Sequence, residues 1–220
     1  MSRGSEQRQV TIDRLTRAAR IALGSGRALD DRLIADICEQ NGVHPTAFRR
    51  FFSTDDALLD SVNEQLVHDC VSRLRSAVDA FDAIDIVESE RDADSPDPVE
   101  VAARMLADSW PLDRGGLIIR AQRRLRALTS QGGGGDAAAA AERSFVERLV
   151  PVFDDLIAKL DRRFTWSPTL AVRVVVDTYE RSFESWLLMG NREEDFDASP
   201  YATRTLPVLL RGTSEPLPPT

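Results

Sequence analysis

The chain has 220 residues, 42% hydrophobic and 29% charged, which suits a folded protein with one large core or two modest ones and excludes disorder over most of its length. Its formal charge of −8 counts against a nucleic-acid binder, because affinity for phosphate comes from Lys and Arg displacing counterions. No apolar run approaches the roughly 18 residues of a membrane span, the first residues lack an apolar signal core, and Cys38, Cys70, His44 and His68 supply neither a disulfide framework nor a zinc set. A cytoplasmic protein without metal or cofactor and without membrane contact is expected.

Apolar residues recur at three and four throughout and no sustained period-two alternation occurs, so the expected fold is all-α. The first helix covers about Val10 to Leu23, with Ile12, Leu15, Ala18, Ala19 and Ala22 on one side and Arg14, Arg17 and Arg20 on another. Gly24 and Gly26 end it. A second runs from Asp30 or Asp31 to Glu39 and turns Leu33, Ile34 and Ile37 inward. Gln40 to Val43 form a tight turn in which Gly42 can take a positive φ. Pro45 opens the third helix, where its missing N–H costs nothing, and Phe48, Phe51 and Phe52 follow at i, i+3, i+4. Thr54 is placed as the N-cap of a long fourth helix carrying an apolar stripe from Leu58 to Phe81.

Glu88 to Pro98 has the acidic, aromatic-free composition of a loop. Helices are then expected over Pro98 to Trp110 and Asp113 to Thr129, the second with a basic run at Arg120, Arg123, Arg124 and Arg126. Gly132 to Gly135 break the chain, and a helix capped by Asp136 continues to about Phe164, kinked or divided at Pro151. Ser167 and Pro168 start another that stops at Gly190, a last one lies between Pro200 and Gly212, and the tail beyond is expected to fray. No internal repeat is found.

Two short helices joined by a glycine-containing turn, the second basic outside and aromatic inside, have helix-turn-helix spacing. The string from Ile37 to Leu59 resembles the DNA-binding segment of the TetR (tetracycline repressor) family. Its pattern is roughly I-A-x-x-A-G-V-S-x-x-x-L-Y-x-x-F-x-[ST]-K-[ED]-x-L, met in identity or type at Ile37, Gly42, Val43, Phe48, Phe52, Thr54, Asp56, Leu58 and Leu59. The resemblance covers about the first 66 residues and implies an N-terminal three-helix DNA-binding domain over residues 1–60. A helical ligand-binding and dimerisation domain over 61–212 and a flexible tail over 213–220 would follow.

This chain departs from the pattern at four places. His44 replaces a small hydroxylated cap, Arg49 a phosphate-binding tyrosine, Asp55 a lysine, and Leu33 a threonine near phosphate. Asp55 would repel a phosphate, whereas Arg49 and Arg50 could grip one or read guanine. The resemblance implies DNA contacts at His44, Pro45, Thr46, Ala47, Arg49, Arg50, Thr54 and Arg14. Read without it, the arginines are solvated charges, His44 is a cap or a surface substitution, and the phenylalanines are core. Cys38 reads as an inert packed thiol. The charge itself divides unevenly, with nine Arg against ten Asp and Glu in residues 1–66, a balance of −1, and 19 basic against 26 acidic residues beyond, −7.

A helix-turn-helix protein reads two half-sites through its dimer symmetry. The resemblance therefore implies a homodimer on double-stranded operator DNA, formed by the helices near Ala141 to Phe164 and Pro168 to Met189. Phe153, Ile157, Val172, Val176, Tyr179 and Phe183 are its candidate interface, with ordinary core packing as the competing reading. It also implies a small-molecule effector in a pocket lined by Met105, Trp110, Leu117, Ile118, Phe145 and Trp186, although such residues at helical spacing are more often core. No Gly-rich phosphate loop, GxSxG or nucleophile with a histidine partner points to an enzyme. The competing function is a protein of this architecture that lost operator binding and acts through ligand or partner contacts.

Overall fold

Polar residues carry the first helix well ahead of its apolar stripe. In a computed structural model, which describes residues 3–81, 97–129 and 134–218, α1 spans Arg3–Gly24. Ser5 to Val10 are all exposed, so good helix formers such as Glu6, Gln7 and Arg8 extend α1 with no buried face to betray it. Then come α2 (Asp31–Gln40), α3 (Pro45–Phe51) and α4 (Asp55–Ala80). α5 (Pro98–Ser109) starts where the Asp97 side chain accepts from the Val99 N–H at 2.8 Å, and α6 (Arg114–Thr129) follows.

α7 (Gly134–Lys159) runs unbroken through Pro151, which lies on the exposed side, where water can meet the carbonyl that loses its donor. It stops short of Phe164 because β1 (Arg162–Phe164) leaves the helix there, after Asp161 takes a φ of 53°. α8 (Pro168–Leu188), a 3-10 turn (Glu193–Ala198), a π-helical turn (Tyr201–Thr205) and α9 (Leu206–Thr213) lead to β2 (Ser214–Pro216). The acidic loop expected from residue 88 falls on 82–96, outside the described residues except at its Asp97–Pro98 end, as do Gly132 and Gly133 of the glycine break.

As far as residue 218 the tail is held in place, against the expectation that it frays. β2 pairs antiparallel with β1, Arg163 opposite Glu215, and the Leu217 N–H donates to the Asp161 carbonyl at 2.8 Å. Arg162 fixes the pair by donating to the Ser214 hydroxyl at 2.8 Å and its carbonyl at 2.7 Å. Among the described residues the fold is thus helical with one two-stranded appendage.

The chain forms two compact units that differ from a division after residue 60. One comprises Met1–His68 with Leu112–Ala138, the other Asp69–Pro111 with Ala139–Thr220. The first gathers α6 with the N-terminal helices because Gly24 of α1 and Gly115 of α6 lack the Cβ atoms that would hold these helices apart. Its core joins Leu15, Ala19 and Leu23 of α1, Leu33, Ile34 and Ile37 of α2, Phe48 of α3, Leu58 and Val62 of α4, and Ile119 of α6.

The second unit is built on aromatic contacts. Trp110 stacks on Tyr179 at 4.4 Å, and Tyr179 meets Phe196 and Tyr201 edge-on at 5.3 and 5.8 Å. Burial pushes the Tyr179 phenol well up and that of Tyr201 up to about 12. Lys159 caps the end of α4 by donating to the Phe81 carbonyl at 2.7 Å. Arg211 joins Asp97 and Glu100. Burial alone would raise the Asp97 carboxyl, but hydrogen bonds from Arg211 and the Val99 N–H, with the Arg211 and Arg162 charges, hold it below the usual range.

The six candidate interface residues are core instead. Phe153, Ile157, Val172, Val176, Tyr179 and Phe183 are each at most 2% exposed within one chain. Trp110, Phe196 and Tyr201 account for much of this, because the segment after Gly190 folds back onto α8. The large apolar side chains that α8 and its flanks leave open are Trp166, Leu170, Leu188 and Met189.

Candidate nucleic-acid interface

Local chemistry fixes the angle between α2 and α3. The Asp30 side chain caps α2 by accepting from the Leu33 N–H at 2.8 Å, which suits the positive end of the helix. Asn41 ends it, and Gly42 takes a φ of 62°, in the left-handed region that favours glycine. The Val43 N–H then reaches the Cys38 carbonyl at 2.9 Å and the Gly42 N–H the Glu39 carbonyl at 3.2 Å, the paired bonds of a Schellman closure. Arg14 of α1 donates to the Asn41 carbonyl at 3.1 Å, so its guanidinium braces this turn.

His44 caps α3, its Nδ1 accepting from the Thr46 N–H at 3.3 Å, and Pro45 occupies the first helical position. Phe48 is fully buried and its ring lies 5.2 Å from that of Phe52. This anchorage leaves His44, Pro45, Thr46, Arg49 and Arg50 exposed and Ala47 half-buried. Thr54 caps α4 by accepting from the Ala57 N–H at 3.1 Å. The eight candidate DNA contacts therefore belong to one unit, Arg14 on α1 and the rest on α3 and the junctions at its two ends.

The two arginines of α3 differ. Arg49 donates to Asp55 at 2.9 Å, lies 3.7 Å from Asp31, and has its guanidinium 6.0 Å from the centroid of the Phe48 ring. Arg50 is simply exposed. The basic run of α6 faces the acidic start of α4: Arg126 is 3.3 Å from Asp56 and Arg123, nearly buried, binds Asp60 at 2.9 Å. Sequence reasoning missed these partners of Arg49 because the Asp55 pair spans six residues across a helix junction, outside any helical repeat. Burial pushes the Cys38 thiol up, against the lowering influence of Arg49, which suits a packed rather than a reactive thiol.

An open groove of about 410 Å³ lies beside this site, lined by Ile21 of α1, Asp36 of α2 and Arg27 of the segment between them, among others. The six candidate effector residues are distributed between the units, Leu117 and Ile118 in the first and Met105, Trp110, Phe145 and Trp186 in the second. Trp110 and Phe145 are buried, and the Trp186 indole N–H donates to the Arg192 carbonyl at 2.7 Å. Among the described residues no group of three or more His, Cys, Asp or Glu is placed to hold a metal, and no helix is long and apolar enough to cross a membrane.

No family model matches the sequence, and no curated protein matches it. Among solved structures the chain is similar to the ketosteroid transcriptional regulator KstR2 of Mycobacterium tuberculosis. The identity is 15%, the TM-score 0.46, and the match covers 93% of this chain and 95% of that one. At that level the likeness assigns neither family nor ligand.

Proposed function

We propose that the protein is a TetR-like transcriptional regulator that binds operator DNA as a homodimer and is released, as a repressor would be, by a small-molecule effector. The observation that carries this reading is the α2–α3 pair. Its turn is closed at Gly42 and its Phe48 anchor is buried, while Arg50, Thr46 and His44 stand exposed on a preset helix. The near-neutral charge of residues 1–66 supports modest non-specific binding, with the larger acidity on chain that need not meet DNA. An effector would act by binding one of two dimer states better, so that operator affinity falls by its differential affinity.

The test is an anisotropy titration on the DNA upstream of the protein's own gene across a salt series. Specific binding whose log affinity falls linearly with log salt is expected, and Arg50→Ala should weaken it by about 1–3 kcal/mol. A stable dimer with no binding at low salt sinks the reading. It would favour the second one, an interaction protein on the same architecture, which the engagement of Arg49 by Asp31 and Asp55 supports.

A further inference from the structure

Asp55 stands between arginines from two different helices. One carboxylate oxygen accepts from Arg49 at 2.9 Å, and the other lies 3.9 Å from Arg126 of α6, which also approaches Asp56 at 3.3 Å. Asp31 adds a second carboxylate 3.7 Å from Arg49. The Asp55 side chain is 30% exposed and each arginine 39%, so the charges are partly shielded from water yet free to rearrange. A carboxylate that serves two guanidinium groups holds each less firmly than it would hold one, because the cations repel each other and divide its charge.

We propose that Asp55 is a shared counter-ion restraining Arg49, and that Arg126 is a positioning residue which, by drawing on Asp55 and Asp56, loosens Arg49 for DNA. This rests on the DNA-binding reading. Withdrawing Arg126 leaves Asp55 wholly to Arg49 and uncovers two carboxylates at the start of α4, just after α3, the recognition helix of that reading. Both changes oppose phosphate. α6 thereby acts on the recognition helix through charge as well as packing. The lysine-to-aspartate departure at position 55 becomes the device itself instead of a defect.

The experiment uses the full chain and DNA from upstream of its own gene. Asp55→Asn frees Arg49, so affinity rises about two- to fivefold, the size of one exposed pair, and the slope of log affinity against log salt steepens by about one. In an Arg49→Gln background, Asp55→Asn gives no more than Asp56→Asn, which removes a charge without touching Arg49. Arg126→Gln lowers affinity by a similar factor, Arg126→Lys restores it, and in the Asp55→Asn background the loss shrinks markedly. An unchanged salt slope in Asp55→Asn, or an undiminished Arg126→Gln loss in that background, overturns the proposal.

A second measurement needs no DNA. In the free protein, the nuclear magnetic resonance signal of the Arg49 Nε–H should report a stiffer side chain in Arg126→Gln and a looser one in Asp55→Asn. Indifference of that signal to Arg126 overturns the sharing, whatever DNA does. Failure of every variant to bind DNA overturns the regulator reading, and the Arg49 signal still decides the sharing.

Discussion

Gly24 and Gly115 meet backbone to backbone: a Cβ built on Gly24 would stand 3.1 Å from the Gly115 Cα, and one on Gly115 3.3 Å from the Gly24 Cα. The atoms in the way belong to main chain, which cannot swing aside as a long side chain would. Gly24→Ala or Gly115→Ala must therefore part α1 from α6. Overpacking costs about 1–3 kcal/mol, and a gain of up to about 1 kcal/mol in helix propensity offsets part of it. A net loss of about 1 kcal/mol is expected in denaturant unfolding of each variant.

Gly42→Ala tests the turn between α2 and α3. No atom lies within 4 Å of a Cβ at Gly42, so the cost is purely that of placing an L side chain at φ 62°, about 1–2 kcal/mol. Gly42→Asn should lose less, because Asn tolerates the left-handed region. The order Gly, Asn, Ala in midpoint of unfolding, with DNA affinity following it, is the expected result. Equal stability for all three would mean that the turn relaxes freely.

The alkaline limit of stability follows from the tyrosines. The sequence has two, Tyr179 and Tyr201, and both are buried. An unfolded phenol titrates near pH 10, whereas burial drives the folded Tyr179 well above its ordinary value and Tyr201 to about 12. Between those limits the folded state binds more protons than the unfolded one, so the tyrosines' contribution to stability is intact below pH 10 and is lost as pH rises toward 12. Phenolate absorbance should appear together with loss of helical circular dichroism. A phenolate signal near pH 10 from a protein still fully helical would contradict the aromatic core.

The exposed apolar side chains of α8 test the proposed dimer. Leu170 is 50% and Leu188 81% exposed, so charging them leaves the core untouched. If a second copy covers this face, Leu170→Glu with Leu188→Glu should weaken self-association about tenfold or more in sedimentation equilibrium, the range of a central contact. Val176→Thr, by contrast, places a hydroxyl in the core and should lower stability while leaving any residual dimer on the same face. A double variant that sediments like the parent would move the interface elsewhere.

The helix-turn-helix was legible because its signals are local: the acidic pair Asp30 and Asp31 at the start of α2, Gly42 at the turn, Pro45 at the first helical position; the caps at Asp30 and His44 are settled by the structure. The all-α class was legible for the same reason. The end of α1 nearest Arg3 was not, since exposed polar residues carry no periodicity. Nor was the β1–β2 pair, in which Arg162 to Phe164 and Ser214 to Pro216 have no strand pattern of their own and form because Arg162 reaches Ser214. The interface candidates failed on a quantity periodicity does not contain. A wide apolar face on α8 looks the same whether a second copy or the chain's own Phe196 and Tyr201 cover it.

The pairing of Arg162 with Ser214, 52 residues apart, bears on how the protein is made. β1 emerges without a partner and stays open while α8, both turns and α9 are synthesised. Its edge groups are exposed to wrong pairings during that interval. The first unit has the same problem on a larger scale, because Ile119 of its core lies beyond the whole of α5 in chain order. Neither unit can close in strict order of synthesis, and slowing translation between residues 68 and 112 should lengthen the life of an unsealed first unit and its sensitivity to protease.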